Sequence, residues 1–307
     1  MDIFLQQILN GLVLGSIYAL VALGYTMVYG ILGLINFAHG DIVMVGALVA
    51  LTVAHMLSGS GLPPAAVLAI AIGAAAIVCI AIGVTVERVA YRPLRRAPRL
   101  APLITAIGVS ILIQYSAALI WGKQYLSMPE LLTPVSISFG GAQFTDVQAY
   151  IFLLACGIMA GLLWFIKSSR IGRAMRATEQ NPDIAGLMGI DTNRIIAFTF
   201  LLGSAIGAIA GVMVVLYYGL GHYFMGFMLG LKAFTAAVLG GIGNIAGAML
   251  GGLLLGIIES LASGYIGDLT GGLLGSNYRD IFAFLVLILV LVLRPSGLMG
   301  QQLSERA

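Results

Sequence analysis

KSSRIGRAMRATEQNPDIAGLMGIDTNR, residues 167–194, is a polar island in a very apolar chain. It holds Lys167, Arg170, Arg173, Arg176 and Arg194, five of the chain's fifteen Lys and Arg residues. Asn181-Pro182 reads as an N-cap followed by proline at the first helical position, where a missing N–H costs nothing. Gly189 reads as the glycine just beyond a helix C-terminus. The pattern predicts a helix of about two turns over 182–188, with Ile184, Leu187 and Met188 on one face. So short a helix is marginal alone in water, which implies that something packs on it. Upstream, Ile171, Ala174, Met175 and Thr178 recur at i, i+3, i+4 and i+7 with arginines opposite. That is the pattern of a basic amphipathic helix at a membrane surface.

Away from the island the chain is built for lipid. Its 307 residues are 60% hydrophobic and only 9% charged, against about 25% charged in a soluble domain. Several runs reach the roughly 20 apolar residues that cross a bilayer. The expected fold is all-α and polytopic, with about eight transmembrane helices plus broken or re-entrant segments. Many of the 41 glycines fall four apart, as in Gly11/Gly15, Gly157/Gly161, Gly203/Gly207/Gly211, Gly247/Gly251 and Gly252/Gly256. Such spacing predicts close helix packing. Cys79 and Cys156 sit singly in apolar runs, with no disulfide or metal spacing. The opening MDIFLQQ has no basic n-region, so the first span reads as retained.

Spans are expected at 8–29, 42–57, 63–86, 101–121, 147–166, 195–218 and 278–293. Between the first two, GILGLINFAHGDIVMVG (30–46) reads as an apolar helix interrupted by Asn36, His39, Gly40 and Asp41, with Asp41 as N-cap. SGSGLPP (58–64) is a turn. In the polar loop 122–147, Val135, Ile137 and Phe139 alternate before Gly140-Gly141, which suggests a β-hairpin. Trp121 and Trp164 fall near span ends, as interfacial anchors do. Arg88, Arg92, Arg95, Arg96 and Arg99, the five cations of the island, and Arg294 with Arg306 make twelve of fifteen Lys and Arg. By the positive-inside rule these three stretches face the cytoplasm. Residues 225–263 must then cross an even number of times or re-enter, with a break at GGIGN, 240–244. LGSIYALVALG (14–24) is similar to LGSAIGAIAG (202–211). The match suggests one transmembrane domain, 1–307, with parallel repeats over about 1–166 and 195–293 joined by loop 167–194. The N-terminus is then also cytoplasmic.

Candidate chemistry is sparse. There is no G-x-x-x-x-G-K-[ST], G-x-S-x-G, H-E-x-x-H or paired-cysteine motif, so an enzyme has nothing to rest on. Asn36, His39 and Asp41 either line a water-filled cavity or cap and kink a broken helix, and capping alone accounts for them. Glu259 either faces a translocation pathway or pairs with Lys232. His222 and Tyr223 read as ordinary residues of an outer loop. The spans 63–86, 101–121, 147–166 and 195–218 carry no mid-helix carboxylate or histidine, which argues against coupling to an ion gradient.

Four stretches carry a resemblance over nearly the whole chain: NGLVLGSIYALVALGYTMVYGILGLINFAHGD (10–41), VERVAYRPLR (86–95), SRIGRAMRATEQNPDIAGLMGIDTNRIIAFTF (169–200) and KAFTAAVLGGIGNIAGAMLGG (232–252). RPSGLMG, 294–300, fits the same ending. The chain resembles the LivH-like permease subunits of branched-chain amino-acid ABC importers. The resemblance implies an ABC importer permease fold in a bacterial inner membrane. It also implies a LivM-like second permease, two LivG- and LivF-like ATPases, and a periplasmic amino-acid-binding protein. No cofactor, metal or nucleic acid is expected. Loop 167–194 is similar to the coupling loop of such permeases, although the E-A-A triplet itself is absent. Glu179, Asn181, Pro182, Asp183, Ile184, Ala185, Leu187, Met188 and Gly189 are the expected ATPase contacts. Asn36, His39, Asp41 and Glu259 are the pathway candidates. Urea, amides or another small amino acid are alternative cargoes in the same class. A stand-alone channel, a secondary transporter or a membrane scaffold is the reading outside it.

Overall fold

The computed structural model describes residues 2–95, 97–98, 100–131, 134–139, 141–273, 275 and 278–300. Arg96, Arg99, Gly140 and Arg306, named above, lie outside the described residues. The helices are α1 (Asp2–Leu32), α2 (His39–Leu57), α3 (Pro64–Val86), α4 (Leu100–Trp121), α5 (Asp146–Ser168), α6 (Arg170–Gln180), α7 (Pro182–Leu187), α8 (Thr192–Tyr218), α9 (Met225–Gly240), α10 (Ile245–Leu269) and α11 (Arg279–Leu293). Four short strands, β1 (Leu126–Ser127), β2 (Ser136–Phe139), β3 (Ala142–Thr145) and β4 (Leu220–Gly221), lie between them. Among the described residues, seven helices are long and apolar enough to cross a membrane. The chain is a multi-pass, all-α membrane protein. At 16 residues, α9 spans about 24 Å, short of the roughly 30 Å hydrocarbon core.

The chain divides into two compact units. The first takes the described residues of Met27–Thr133 and Ala160–Leu231. Here α2, α3 and α8 pack with small residues between them. A methyl group on Gly46 would lie 2.8 Å from the Ala208 Cα, and one on Gly211 would lie 2.2 Å from the Val43 carbonyl oxygen. Around these contacts Ile42, Met44, Leu48, Leu51 and Val212 are buried. The Cys79 thiol, also buried here, donates to the Ile42 carbonyl at 3.2 Å. The half-buried Trp121 indole donates to Thr52 Oγ1 at 2.7 Å, whereas Trp164 is exposed. β1 pairs antiparallel with β4, Leu126 opposite Gly221. This pairing is far apart in sequence and has no local signal.

The arginine-rich stretch that follows α3 is helical through Leu94. A π-helical turn, Glu87–Tyr91, continues α3 and passes into a 3₁₀ turn, Arg92–Leu94. Pro93 supplies a reason. It has no N–H, and in a straight α-helix its ring would meet the carbonyl four residues earlier. A widened turn avoids that clash.

The second unit takes the described residues of Met1–Thr26, Pro134–Met159 and Lys232–Ala307. Its spine is glycine against glycine. A methyl on Gly256 of α10 would lie 2.2 Å from the Gly15 nitrogen of α1, and one on Gly252 would lie 2.4 Å from Ala19 Cα. The GGIGN break falls as expected between α9 and α10. Gly241 and Gly243 have φ of 106° and 93°, values that favour glycine. Asn244 caps α10 by accepting the Gly247 N–H at 3.0 Å. The freed carbonyls of Leu239 and Gly240 each accept a backbone N–H at 2.9 Å, from Leu298 and Met299. β2 and β3 form the expected hairpin, with Ile137 opposite Phe144.

Gly157 and Gly161 depart from the packing expectation, since a methyl at either meets nothing within 4 Å. This gives a matched test. Gly256→Ala must push backbone apart and is expected to cost about 1–3 kcal/mol. Gly157→Ala, in an open stretch of helix, is expected to gain about 0.5–1 kcal/mol. Thermal unfolding in detergent checks both, and equal midpoints for the two variants would rule out the glycine contact as the stabilising one.

Candidate functional site

The polar island folds as three capped pieces within the first unit. Ser169 closes the sharp step from α5 to α6, its Oγ accepting the Gly172 N–H at 2.8 Å. Gly172 sits so close to Ile166 that a methyl there would lie 2.2 Å from the Ile166 oxygen. Arg173 Nη1 donates to the Ser168 carbonyl at 3.1 Å, and Arg176 Nη1 donates to that of Ile166. Cations thus satisfy the end of α5, where the helix dipole is negative. Of the expected apolar stripe, Met175 and Thr178 are buried, while Ile171 is partly exposed.

The α7 helix is fixed at both ends. Asn181 Oδ1 accepts the N–H groups of Asp183 and Ile184 at 3.0 and 3.1 Å, and Pro182 follows the cap as read from sequence. At the other end Gly189 has φ 84°. Its N–H bonds to the Gly186 carbonyl and the Ile190 N–H bonds to that of Ala185, each at 3.0 Å. This is the Schellman closure. Ala185 is the one buried side chain of α7. Ile184, Leu187 and Met188 are 57%, 87% and 79% exposed, and Glu179, Pro182 and Asp183 are exposed as well. The six-residue helix and its C-cap therefore hold out three apolar side chains that stay exposed among the described residues.

Asn36, His39 and Asp41 also belong to the first unit, and here the capping expectation is corrected. α1 stops at Leu32 and α2 begins at His39, with Ala38 as N-cap and no side-chain capping bond. Asp41 lies in the first turn of α2, buried, and its carboxylate is satisfied by α4. Ser110 Oγ donates to Oδ2 at 2.5 Å and Gln114 Nε2 donates to Oδ1 at 3.0 Å. The pull toward α4 is stronger than capping because two donors one turn apart meet both oxygens in a buried site. Asn36 Oδ1 accepts the Tyr91 hydroxyl at 3.1 Å. His39 is buried against Gly207, where a methyl would lie 3.2 Å from its Cε1. Ser110 and Gln114 were passed over in the sequence, although a polar pair at i, i+4 in an apolar span is a readable sign.

Glu259 belongs to the second unit, and of its two readings the pairing one is observed. Its Oε1 lies 2.7 Å from Lys232 Nζ and 3.1 Å from Arg279 Nε. The Tyr18 hydroxyl donates to Oε2 at 2.9 Å. Lys232 also reaches Asp280 at 2.8 Å. Two cations and two anions make a cluster of zero net charge, as an apolar interior requires. Arg279 and Asp280 were not foreseen, because they precede a span and look like its polar end. Among the described residues no group of three or more His, Cys, Asp or Glu could hold a metal.

Removing one member of the cluster leaves a charge buried. Glu259→Leu and Lys232→Met are each expected to cost about 3–5 kcal/mol of stability. The double variant keeps Arg279 with Asp280 and is expected to lose clearly less than the sum. Additive losses in thermal unfolding would count against a shared cluster.

The family described as branched-chain amino acid transport system, permease component, matches residues 7–291. The high-affinity branched-chain amino acid transport system permease protein BraD of Pseudomonas aeruginosa is 46% identical, over 99% of this chain and 98% of its own. LivH of Escherichia coli K12, described in the same words, is 45% identical over 99% and 97%. The probable branched-chain amino acid transport permease protein LivM of Methanocaldococcus jannaschii is 29% identical over 65% of this chain and 59% of its own.

Proposed function

The chain belongs to the branched-chain amino acid transport permease family, and from that premise we propose that it is the permease subunit of an ATP-driven importer of leucine, isoleucine and valine. It is a transport permease, not an enzyme. In this reading it lies in a bacterial inner membrane as one permease domain, with parallel repeats either side of the island. A LivM-like permease pairs with it, two LivG- and LivF-like ATPases bind its cytoplasmic face, and a periplasmic binding protein delivers the amino acid. Asn36, His39, Asp41 and Glu259 stay proposed as groups along the pathway.

The observation that carries the reading is the bare face of α7. Ile184, Leu187 and Met188 project from a helix closed at both ends, suited to a groove on an ATPase subunit. Glu179, Asn181, Pro182, Asp183, Ala185 and Gly189 shape that helix and its entrance. Burying an apolar side chain of this size is worth about 1.5–3 kcal/mol. A helix held at both ends has little left to order on docking. Closure of the ATPases on ATP then displaces α7, and the spans exchange outward and inward states.

Leu187→Asp is expected to weaken ATPase association on the order of a hundredfold, with transport lost. Co-purification and ATPase assays of the assembled complex check it. If association and substrate-stimulated turnover both survive, α7 is not the dock. The cargo is checked separately by thermal shift of the cognate binding protein. Leucine, isoleucine and valine are expected to raise its midpoint; a response to urea or an amide instead would move the cargo within the same class.

A further inference from the structure

The joint between α7 and α8 is tied by side chains to the π-helical turn, to which the proposed function gives no part. After the Schellman closure at Gly189, Asp191 caps α8 by accepting the Arg194 N–H at 3.1 Å. Asn193, in the first turn of α8, accepts Nη1 of Arg95 at 2.7 Å. Through Nη2 the same guanidinium pairs with Glu87, whose side chain is 1% exposed. Glu87 opens the π turn and Tyr91 closes it. The Tyr91 hydroxyl donates to Asn36 Oδ1 at 3.1 Å and to the Ile35 carbonyl at 3.4 Å, both in the non-helical segment between α1 and α2. The Tyr91 ring is buried and tilts against Phe200 of α8, with centroids 5.4 Å apart. All of these residues lie in the first unit.

A π turn is a natural two-position element. Here the Arg92 N–H reaches back five residues to the Glu87 carbonyl, one more than in an α-helix. A return to α spacing would swing the following residues by about 100° around the helix axis. One end of this turn is held through Arg95 to the base of α8. The other end is held through Tyr91 to the helix break. We propose that the turn Glu87–Tyr91 passes the displacement of α7 to the break at Asn36, with Asn193, Arg95 and Tyr91 as positioning residues. This rests on α7 being the docking helix, and it adds the route by which docking reaches the membrane-spanning part.

Two substitutions cut the tie at either end and leave the Glu87–Arg95 pair intact: Asn193→Ala removes the bond to Arg95, and Tyr91→Phe removes the two bonds of its hydroxyl. They are compared with wild type in the assembled importer in proteoliposomes. Three quantities are read: retained ATPase subunits, solute taken up per ATP hydrolysed, and maleimide labelling of Leu34→Cys with and without a non-hydrolysable ATP analogue. Labelling uses a Cys79→Ala, Cys156→Ala background. Both variants are expected to keep their ATPase subunits and to lower uptake per ATP at least threefold. Both are also expected to erase the nucleotide-dependent difference in labelling that wild type shows, and the combined variant is expected to be no worse than the weaker single one. Unchanged uptake per ATP overturns the proposal, as do effects that multiply in the combined variant. Loss of the ATPase subunits in both variants overturns it too, because the residues would then serve assembly. Leu187→Asp is run alongside. If it sheds the ATPases while Asn193→Ala and Tyr91→Phe behave as wild type, docking stands and the π turn falls. If it keeps them, both fall.

Discussion

Fit between backbones is the constraint on which the rest of this structure depends. In water, two helices gain by hiding apolar surface; in lipid they gain almost nothing that way, and must gain from closeness. The two units meet this demand alike. Gly46 and Gly211 let α2 lie on α8 in one, and Gly15, Gly252 and Gly256 let α1 lie on α10 in the other. With those contacts set, few large side chains are needed, and alanine fills much of the buried interior.

Closeness of backbones also makes irregular chain tolerable. A helix broken at membrane depth frees N–H and carbonyl groups that lipid cannot satisfy. At 33–38 the break is held by Asn36 to Tyr91, with Asp41 tying the next turn to Ser110 and Gln114. At 241–244 it is held by Asn244 and by backbone donors from Leu298 and Met299. The buried charges of Glu259 and Lys232 follow the same rule: each is tolerable only because its opposite is present.

What was legible beforehand was local. Asn181, Pro182 and Gly189 announced both ends of α7, since cap chemistry is written within a few residues of the helix it closes. The alternation at Val135, Ile137 and Phe139 announced the hairpin, and GGIGN announced the break. What was not legible depended on partners distant in sequence. Asp41 reads as a cap from its neighbours and becomes a ligand of α4 only in three dimensions. The β1–β4 pair joins residues nearly a hundred positions apart. The four-residue rhythm of Gly157/Gly161 is indistinguishable from that of Gly252/Gly256 until the opposing helix is placed. The arginines after α3 concealed a helical continuation, because charge reports exposure and says nothing about whether a proline can be absorbed by widening a turn.

The strap across the second break carries a consequence for biogenesis. Translation delivers α9 and its break before α10 and α11, and only afterwards Leu298 and Met299. During that interval two carbonyls at the end of α9 lack their eventual donors and need water or an insertion chaperone to hold them. Completion of the break is thus a late event in synthesis, and a chain cut short before residue 298 would carry every span with one seam still open.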